Sequence, residues 1–196
     1  MKTFARLLLT AAFAVPMVGC VAGQTLDIDY QPTTELVAPD GSTAVRVTVE
    51  DKRPFVVSGD KGPYYVGHYR AGFGNPWDVT TEGREPLADI IAADLVEELE
   101  ALGFMTEGEG RRMAVTINDW NFDGYQNGHV WYDIAIVLTE ADGTELYSGS
   151  IEDDVGVTGT LSGIKGGMER DMPQIYSAVI LRMVRDNDAL MAALKS

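Results

Sequence analysis

The chain is poor in several residue types, and each shortage excludes a class of protein. It contains one cysteine, Cys20. A disulfide framework within one copy of the chain is therefore excluded, even in an oxidising compartment. It has 15 lysines and arginines against 30 aspartates and glutamates, a formal net charge of −15. Because non-specific affinity for nucleic acid comes mainly from basic side chains that neutralise phosphates, we expect no nucleic-acid partner.

The amino-terminal apolar run is too short to cross a membrane as a helix. It covers about nine residues, 7–15, whereas a spanning helix needs roughly 20. It follows Lys2 and Arg6, and small residues lead from it to Cys20. A basic start, a short apolar run and small residues before a cleavage point are typical of a secretory signal. We therefore predict that residues 1–19 form a signal peptide that is removed.

The segment Met17-Val18-Gly19-Cys20 resembles the bacterial lipobox, although methionine stands where leucine is usual. The resemblance implies that the signal is cut before Cys20 and that this cysteine is acylated on its sulfur, with palmitate, and on its new amino group. Two or three acyl chains hold a protein firmly on a membrane without spanning it. Val21, rather than aspartate, follows the cysteine, which favours export to the outer membrane with the domain facing the periplasm. The alternative is an ordinary small residue beside a cleavage site.

The rest of the chain divides into a tether and one domain. Residues 20–43 are rich in proline, glycine and threonine and have little periodicity, which predicts a flexible, lipid-anchored tether. Leu26, Ile28 and Tyr30 alternate within it, so a short strand there is the alternative. Residues 44–196 hold enough apolar material for one core. We predict a single periplasmic domain over this range.

Hydrophobic periodicity predicts an α+β domain with a mostly antiparallel sheet and helices packed on one face, in the order β-(β)-α-β-β-β-α-α. The first strand alternates Val45, Val47 and Val49 with polar residues and ends before Pro54. The clearest helix stops at Gly103 and carries one apolar face, formed by Leu87, Ile91, Leu95, Leu99 and Leu102. Three strands follow at 111–125, 129–143 and 144–159, then a helix at 168–186 and a short terminal helix capped by Asp188. An Asp-Gly turn at Asp142-Gly143 joins the second and third of these strands.

This layout resembles the YajG-like bacterial lipoproteins from about residue 24 to the end. The shared features are "QTLDIDYQP" after the lipobox, a valine-rich strand running into "DKRP", a helix ending "LEALGF", "NGHVWYDIAIV", "DVGVTG" before a long helix, and "DNDALMAAL". The layout is also similar to the CsgG and LpoB types of envelope lipoprotein. Either resemblance implies a non-catalytic envelope component, and no biochemical activity comes with the YajG-like name.

Asp119, Asn121, Asp123 and Gly124 follow the D-x-N-x-D-G order that opens a calcium-binding EF-hand loop. The twelfth position of such a loop needs a bidentate carboxylate, and here it is Val130. An EF-hand also needs flanking helices, whereas the flanks alternate as strands do. We therefore predict a β-hairpin and no metal or other cofactor, with a weak ion site on one strand face as the alternative.

Catalytic motifs are not recognisable. The two histidines, His68 and His129, stand in loop or turn contexts without a serine or aspartate at a spacing typical of a triad. We expect no enzymatic activity, with an envelope hydrolase as the third hypothesis.

Aromatic residues concentrate in the long glycine-rich segment 55–81, where only the part around Tyr64 to Tyr69 has strand character. They are Tyr64, Tyr65, Tyr69, Phe73 and Trp77. Aromatic side chains on a loop are typical of recognition surfaces, but they also pack loops onto their own domain. We treat them as candidate partner-binding residues. The first hypothesis is therefore an accessory lipoprotein that binds an envelope protein, and the second is a carrier or sensor of a small apolar or glycan ligand.

Overall fold

A computed structural model describes residues 24–26, 28, 30–32, 38, 43–70, 76–124, 128–159 and 164–196. It contains a seven-stranded sheet with the three longer helices on one face, which confirms the predicted α+β class. The strands are β1 (Gln24–Leu26), β2 (Ala44–Asp51), β3 (Tyr65–Arg70), β4 (Pro76–Thr81), β5 (Gly110–Gly124), β6 (Gly128–Thr139) and β7 (Glu145–Val157). The helices are α1 (Pro54–Val57), α2 (Leu87–Ala101), α3 (Ile164–Met183) and α4 (Asp188–Lys195), with a 3-10 turn at Glu82–Arg84.

One side of the sheet is the antiparallel meander of β5, β6 and β7, which the sequence predicts and which ends at the edge strand β7. Buried and exposed side chains alternate along β5 and β6, so the meander has one apolar face. The turn between β6 and β7 contains Gly143 at φ 92°, a conformation that glycine adopts without strain. The Asp-Gly turn prediction is therefore confirmed.

Strand β5 is long enough to have two partners on its other edge. β2 pairs in parallel with its first half, from Gly110 to Ile117, and β3 pairs in parallel with residues 122–124. β4 is antiparallel to β3, and β1 is parallel to β4. The antiparallel meander therefore continues into a region where β1, β2 and β3 each make a parallel pair.

Two segments differ from the sequence expectations. The segment 55–81, expected to be a long loop with one short strand, contains part of α1 and the hairpin of β3 and β4. The hairpin extends the sheet beside the far half of β5, which no local pattern shows. Gly67 permits this pairing, because a Cβ there would lie 2.3 Å from the carbonyl oxygen of Phe122. Residues 24–26, within the predicted tether, form β1, which agrees at Leu26 with the alternative of a short strand there.

Helices α2, α3 and α4 fill the apolar face of the sheet, whereas Phe55 of α1 packs on Tyr65 on the other side. All five residues of the predicted apolar face of α2 are buried. Trp120 on β5 is fully buried, and its ring centroid lies 6.0 Å from that of Tyr132 on β6 and 5.9 Å from that of Tyr176 on α3. The cap of α4 is Asn187, whose side chain accepts a 3.1 Å hydrogen bond from the backbone N–H of Leu190. The predicted cap, Asp188, is instead the first residue of that helix.

The segment that carries the predicted signal peptide and Cys20 lies outside the described residues. Among the helices that the structure describes, none combines the length and the apolar character that crossing a membrane requires.

Candidate binding face

The face of the meander opposite the helices is lined by side chains that are all at least partly exposed. Strand alternation produces it, and an irregularity in β5 between Ile117 and Asp119 shifts the alternation by one residue, so that Asp119 points outward. We call it the open face. Its side chains are Ala114, Thr116, Asp119, Asn121 and Asp123 on β5, His129, Trp131, Asp133, Ala135 and Val137 on β6, and Ser148, Ser150, Glu152 and Asp154 on β7.

Trp131 is the aromatic centre of the open face. Its ring is stacked on that of His129, with the ring centroids 5.8 Å apart and the planes 16° from parallel. The His129 Nδ1 atom lies 2.9 Å from a carboxylate oxygen of Asp154. An aromatic ring beside carboxylates is an arrangement that attracts cationic side chains.

A row of carboxylates crosses the sheet next to Trp131. Asp133 is the register partner of Asp119 on one side and of Glu152 on the other. These residues line a shallow, solvent-open cavity of about 430 Å³. Burial raises the pKa of Asp119 above its usual value, and the charge of Asp133 adds to the effect. The open face therefore concentrates negative charge that a positively charged partner surface would neutralise.

Both histidines lie on this side of the sheet, on strands and not in the loop or turn contexts that the sequence suggests. His68 on β3 and His129 on β6 are the register partners of Asp123 on its two sides. The His68 Nε2 atom lies 3.5 Å from a carboxylate oxygen of Asp123. The alternation of His129 with Trp131 and Asp133 is the local signal that could have placed it on a strand.

Tyr65, His68 and Asp123 form a polar chain that resembles a catalytic relay in outline. The Tyr65 hydroxyl lies 3.2 Å from Nδ1 of His68 and donates a long 3.5 Å hydrogen bond to Asn121. Burial raises the pKa of Tyr65 to about 12, and the nearby carboxylate of Asp78 adds to the effect. A hydroxyl that holds its proton so firmly is a hydrogen-bond donor and a poor nucleophile at neutral pH. In this arrangement the Tyr65 hydroxyl is held between His68 and Asn121.

Arg53 fills the gap that separates β2 from β3 along the edge of β5. Its fully buried guanidinium pairs with both carboxylate oxygens of Asp51, at 2.9 and 2.6 Å. It also donates to the backbone carbonyls of Pro63 at 3.0 Å, Tyr65 at 2.5 Å and Trp120 at 3.3 Å. In the gap between β2 and β3, the arginine side chain thus donates the hydrogen bond that β5 would otherwise receive from a neighbouring strand. The same side chain links residues 54–64 to the sheet. The signal in the sequence is "DKRP" at the end of a strand, but the role of Arg53 depends on carbonyl groups that lie far from it along the chain.

The candidate aromatic residues do not form one surface. Tyr65 is 6% exposed, lies under Phe55 with ring centroids 5.3 Å apart, and is on the side of His68. Tyr69 is 7% exposed on the opposite side of the sheet, where it contacts Trp77, which is 38% exposed. Tyr64 is partly exposed beneath the guanidinium of Arg84, and Phe73 lies outside the described residues. Of the four described aromatics, Trp77 offers the most accessible ring.

Two arginines lie side by side at the end of the sheet where β2 and β5 begin. Arg46 and Arg112 are register partners on the same side as the open face, and they line a cavity of about 280 Å³ with Glu109. Arg46 donates a 3.1 Å hydrogen bond to the carbonyl of Gly108. Like charges directly opposite each other on neighbouring strands destabilise a sheet slightly. This end of the sheet is therefore positive, whereas the centre of the open face is negative.

The segment with the EF-hand-like order lies on strands β5 and β6, as predicted, and not between helices. Asp119, Asn121 and Asp123 alternate with the buried Trp120 and Phe122. Within the described ranges, no group of three or more histidine, cysteine, aspartate or glutamate side chains is arranged to hold a metal ion.

Comparisons with known proteins show the fold but not the family. No family model matches the chain. Part of the chain is similar to the large ribosomal subunit protein uL3 of Stutzerimonas stutzeri and of Pseudomonas putida, 33% identical over 92 residues in each case. The match covers 46% of this chain, and the chain spans only 43% of the length of those relatives.

Among solved structures, the chain is similar to protein XCC0632 from Xanthomonas campestris, of family DUF330, with a TM-score of 0.57 and 12% identity over 83% of this chain and 95% of that one. It is also similar to lipoprotein GNA1162 from Neisseria meningitidis, with a TM-score of 0.30 and 17% identity over 72% of this chain and 97% of that one. At such identities the first likeness supports the α+β architecture alone, and the second carries no argument. The YajG-like resemblance stays a prediction.

Proposed function

We propose that the protein is a bacterial envelope lipoprotein, anchored by lipid on Cys20 and facing the periplasm, that binds another envelope component without catalysing a reaction. The observation that carries the proposal is the open face, where Trp131 and His129 lie among carboxylates on three rigid strands. Aromatic residues within a polar surface are typical of protein interfaces. The partner surface that fits is basic, since the open face is rich in carboxylates.

The positions of the tyrosines favour this proposal over a small-ligand carrier. Tyr65 and Tyr69 are both packed within the domain, on opposite sides of the sheet. Trp120, Tyr132 and Tyr176 fill space between the sheet and α3. The two cavities described above open to solvent and carry charged side chains, which suits a polar protein surface better than an apolar ligand.

Site-specific photocrosslinking in native membranes tests the proposal. A photoreactive residue at Ala135, on the open face, should give a discrete adduct with an envelope protein. The same residue at Ala178, on the exposed side of α3, is the matched control and should give none. Trp131→Ala should reduce the Ala135 adduct at least several-fold while the protein remains folded. An adduct of equal yield at both positions, or one that is indifferent to Trp131→Ala, contradicts the proposal.

A further inference from the structure

We propose that the end of the sheet that bears Trp77 rests on the membrane surface, with the Trp77 ring at the lipid headgroups. The inference deepens the proposed function and rests on its lipid anchor at Cys20. Of the predicted tether, only three residues stand between Cys20 and the sheet, which limits how far the domain can move from the membrane.

The length of chain between the anchor and the sheet supports this orientation. Only three residues separate Cys20 from Gln24, the first residue of β1. Four Cα–Cα steps span at most about 14 Å even when fully extended. β1 is held in the sheet, since Gln24, Thr25 and Leu26 pair with Val79, Thr80 and Thr81 of β4. The edge of the sheet at Gln24 therefore lies within about 14 Å of the acylated cysteine.

The parallel register of β1 and β4 places Trp77 on the membrane side of Gln24. Val79 lies opposite Gln24, and Trp77 precedes Val79 by two residues. At roughly 3.3 Å per residue, Trp77 is about 7 Å further than Gln24 in the direction from which the chain enters β1. Trp77 thus lies beyond the start of β1, on the side from which the chain enters the sheet, and we infer that this brings its ring to the headgroups.

The chemistry of this end suits a lipid surface. The Trp77 side chain is 38% exposed and rests edge-on against the Tyr69 ring, with centroids 6.0 Å apart. Tryptophan is enriched at membrane–water interfaces, because its ring is apolar and its N–H stays hydrated.

The start of α3 belongs to the same end, since the Gln24 side-chain amide donates a 3.2 Å hydrogen bond to Glu169. The charges around that contact balance, with Lys165 paired to Glu169 and Arg170 paired to Asp171. The chain as a whole is strongly acidic, with a net charge of −15. Anionic lipid therefore repels this end less than it repels the open face.

Fluorescence quenching of the lipidated full chain in phosphatidylcholine vesicles tests the orientation. Lipids brominated on the acyl chain close to the headgroup quench only tryptophan at the membrane surface. We expect quenching of the unmodified protein, loss of more than half of it in Trp77→Phe, and retention in the matched control Trp131→Phe. Quenching that is unchanged by Trp77→Phe would overturn the inference.

Two further measurements separate the inference from the proposed function. Flotation with the vesicles reports the lipid anchor by itself. A protein that floats but is not quenched retains its anchor and refutes the orientation, whereas one that does not float refutes both. A ten-residue Gly-Ser spacer inserted after Val21 leaves the domain intact and adds about 18 Å of root-mean-square reach. It should reduce the quenching without reducing flotation, and undiminished quenching would also count against the orientation.

Discussion

The two faces of the meander are made by the same strands, yet one is buried against the helices and the other is partly exposed to solvent. Trp120 on β5 points toward the helices and is fully buried between Tyr132 and Tyr176. Trp131 on β6 points to the open face, stays partly exposed and contacts His129. Residue type therefore does not distinguish a core tryptophan from a surface one in this sheet. The direction in which each strand position points decides it.

Replacing each tryptophan with alanine should produce the largest contrast between the faces. Trp120→Ala removes a fully buried ring and should lower the free energy of unfolding by about 3–5 kcal/mol. Trp131→Ala loses one stacking contact at a partly exposed site and should cost about 1 kcal/mol or less. Urea unfolding of both variants measures the difference. Equal losses would show that the open face is covered and that the comparison fails.

Substitution of Arg53 measures how much its hydrogen bonds stabilise the region where residues 54–64 pack on the sheet. Arg53→Lys keeps the charge but loses the fork that reaches Asp51 and three backbone carbonyls at once. We expect a loss of about 1.5–3 kcal/mol, the range for hydrogen bonds to a charged group. Lys52→Arg, at the exposed neighbouring position, is the control and should leave stability unchanged. A stability loss of the same size in both variants would argue against the gap-filling role.

Tyr65 lies on the side of the open face but is buried beneath residues 54–64. Its burial should make the stability of the protein depend on pH above about pH 10. Its pKa in the folded protein is about 12, raised first by burial. In the unfolded chain an ordinary tyrosine ionises near pH 10, so stability is retained below about pH 10 and lost as the pH rises toward 12. Tyr65→Phe should cost about 1 kcal/mol at pH 8.

The same variant should lose less stability than the unmodified protein between pH 10 and 12. Urea unfolding at pH 8 and pH 11, with tyrosinate absorbance recorded alongside, checks this. The other tyrosines whose pKa values burial raises, Tyr30, Tyr132 and Tyr176, remain in both proteins. The difference between the two proteins therefore reports Tyr65. Parallel pH profiles would show that Tyr65 is in contact with solvent.

Asp119 should give the smallest effect, and with the opposite sign. Its folded-state pKa is raised, so it favours folding only when protonated, and that stability is lost as the pH rises through the folded pKa. Asp119→Asn should therefore increase stability at pH 7, by under about 1 kcal/mol because the side chain contacts solvent. Asp142 is the opposite case, because the backbone N–H of Thr144 lowers its pKa. Asp142→Asn should decrease stability at pH 7, and melting curves at pH 4 and pH 7 test both signs.

Local pattern was sufficient for the elements that carry their own periodicity. The apolar face of α2, the three strands of the meander and the Asp-Gly turn could all be predicted, because burial of one face imposes a repeat of 3.6 or 2 residues on the sequence. The absence of a carboxylate at Val130 and the alternation around it likewise sufficed to place the EF-hand-like segment on strands.

Contacts between distant segments could not be predicted in this way. No local repeat shows that β1 and β4 pair in parallel, that the far half of β5 accepts β3, or that Arg53 closes the gap between them. In the sequence, His68 and His129 show no relation to each other. In the sheet, both are register partners of Asp123. The aromatic run at 64–77 read as one surface, but a sheet separates Tyr65 from Tyr69.

The amphipathic elements and the cysteine at which we propose the lipid anchor can be recognised from residues close together along the chain, and the acidic charge follows from composition alone. Which face of the meander stays open, and that Gln24 and Trp77 share one end of the sheet, depends on the fold. Those features depend on the pairing of strands far apart in sequence. The physical reason is that hydrogen-bond register between distant segments is set by packing of the whole core and leaves no local repeat.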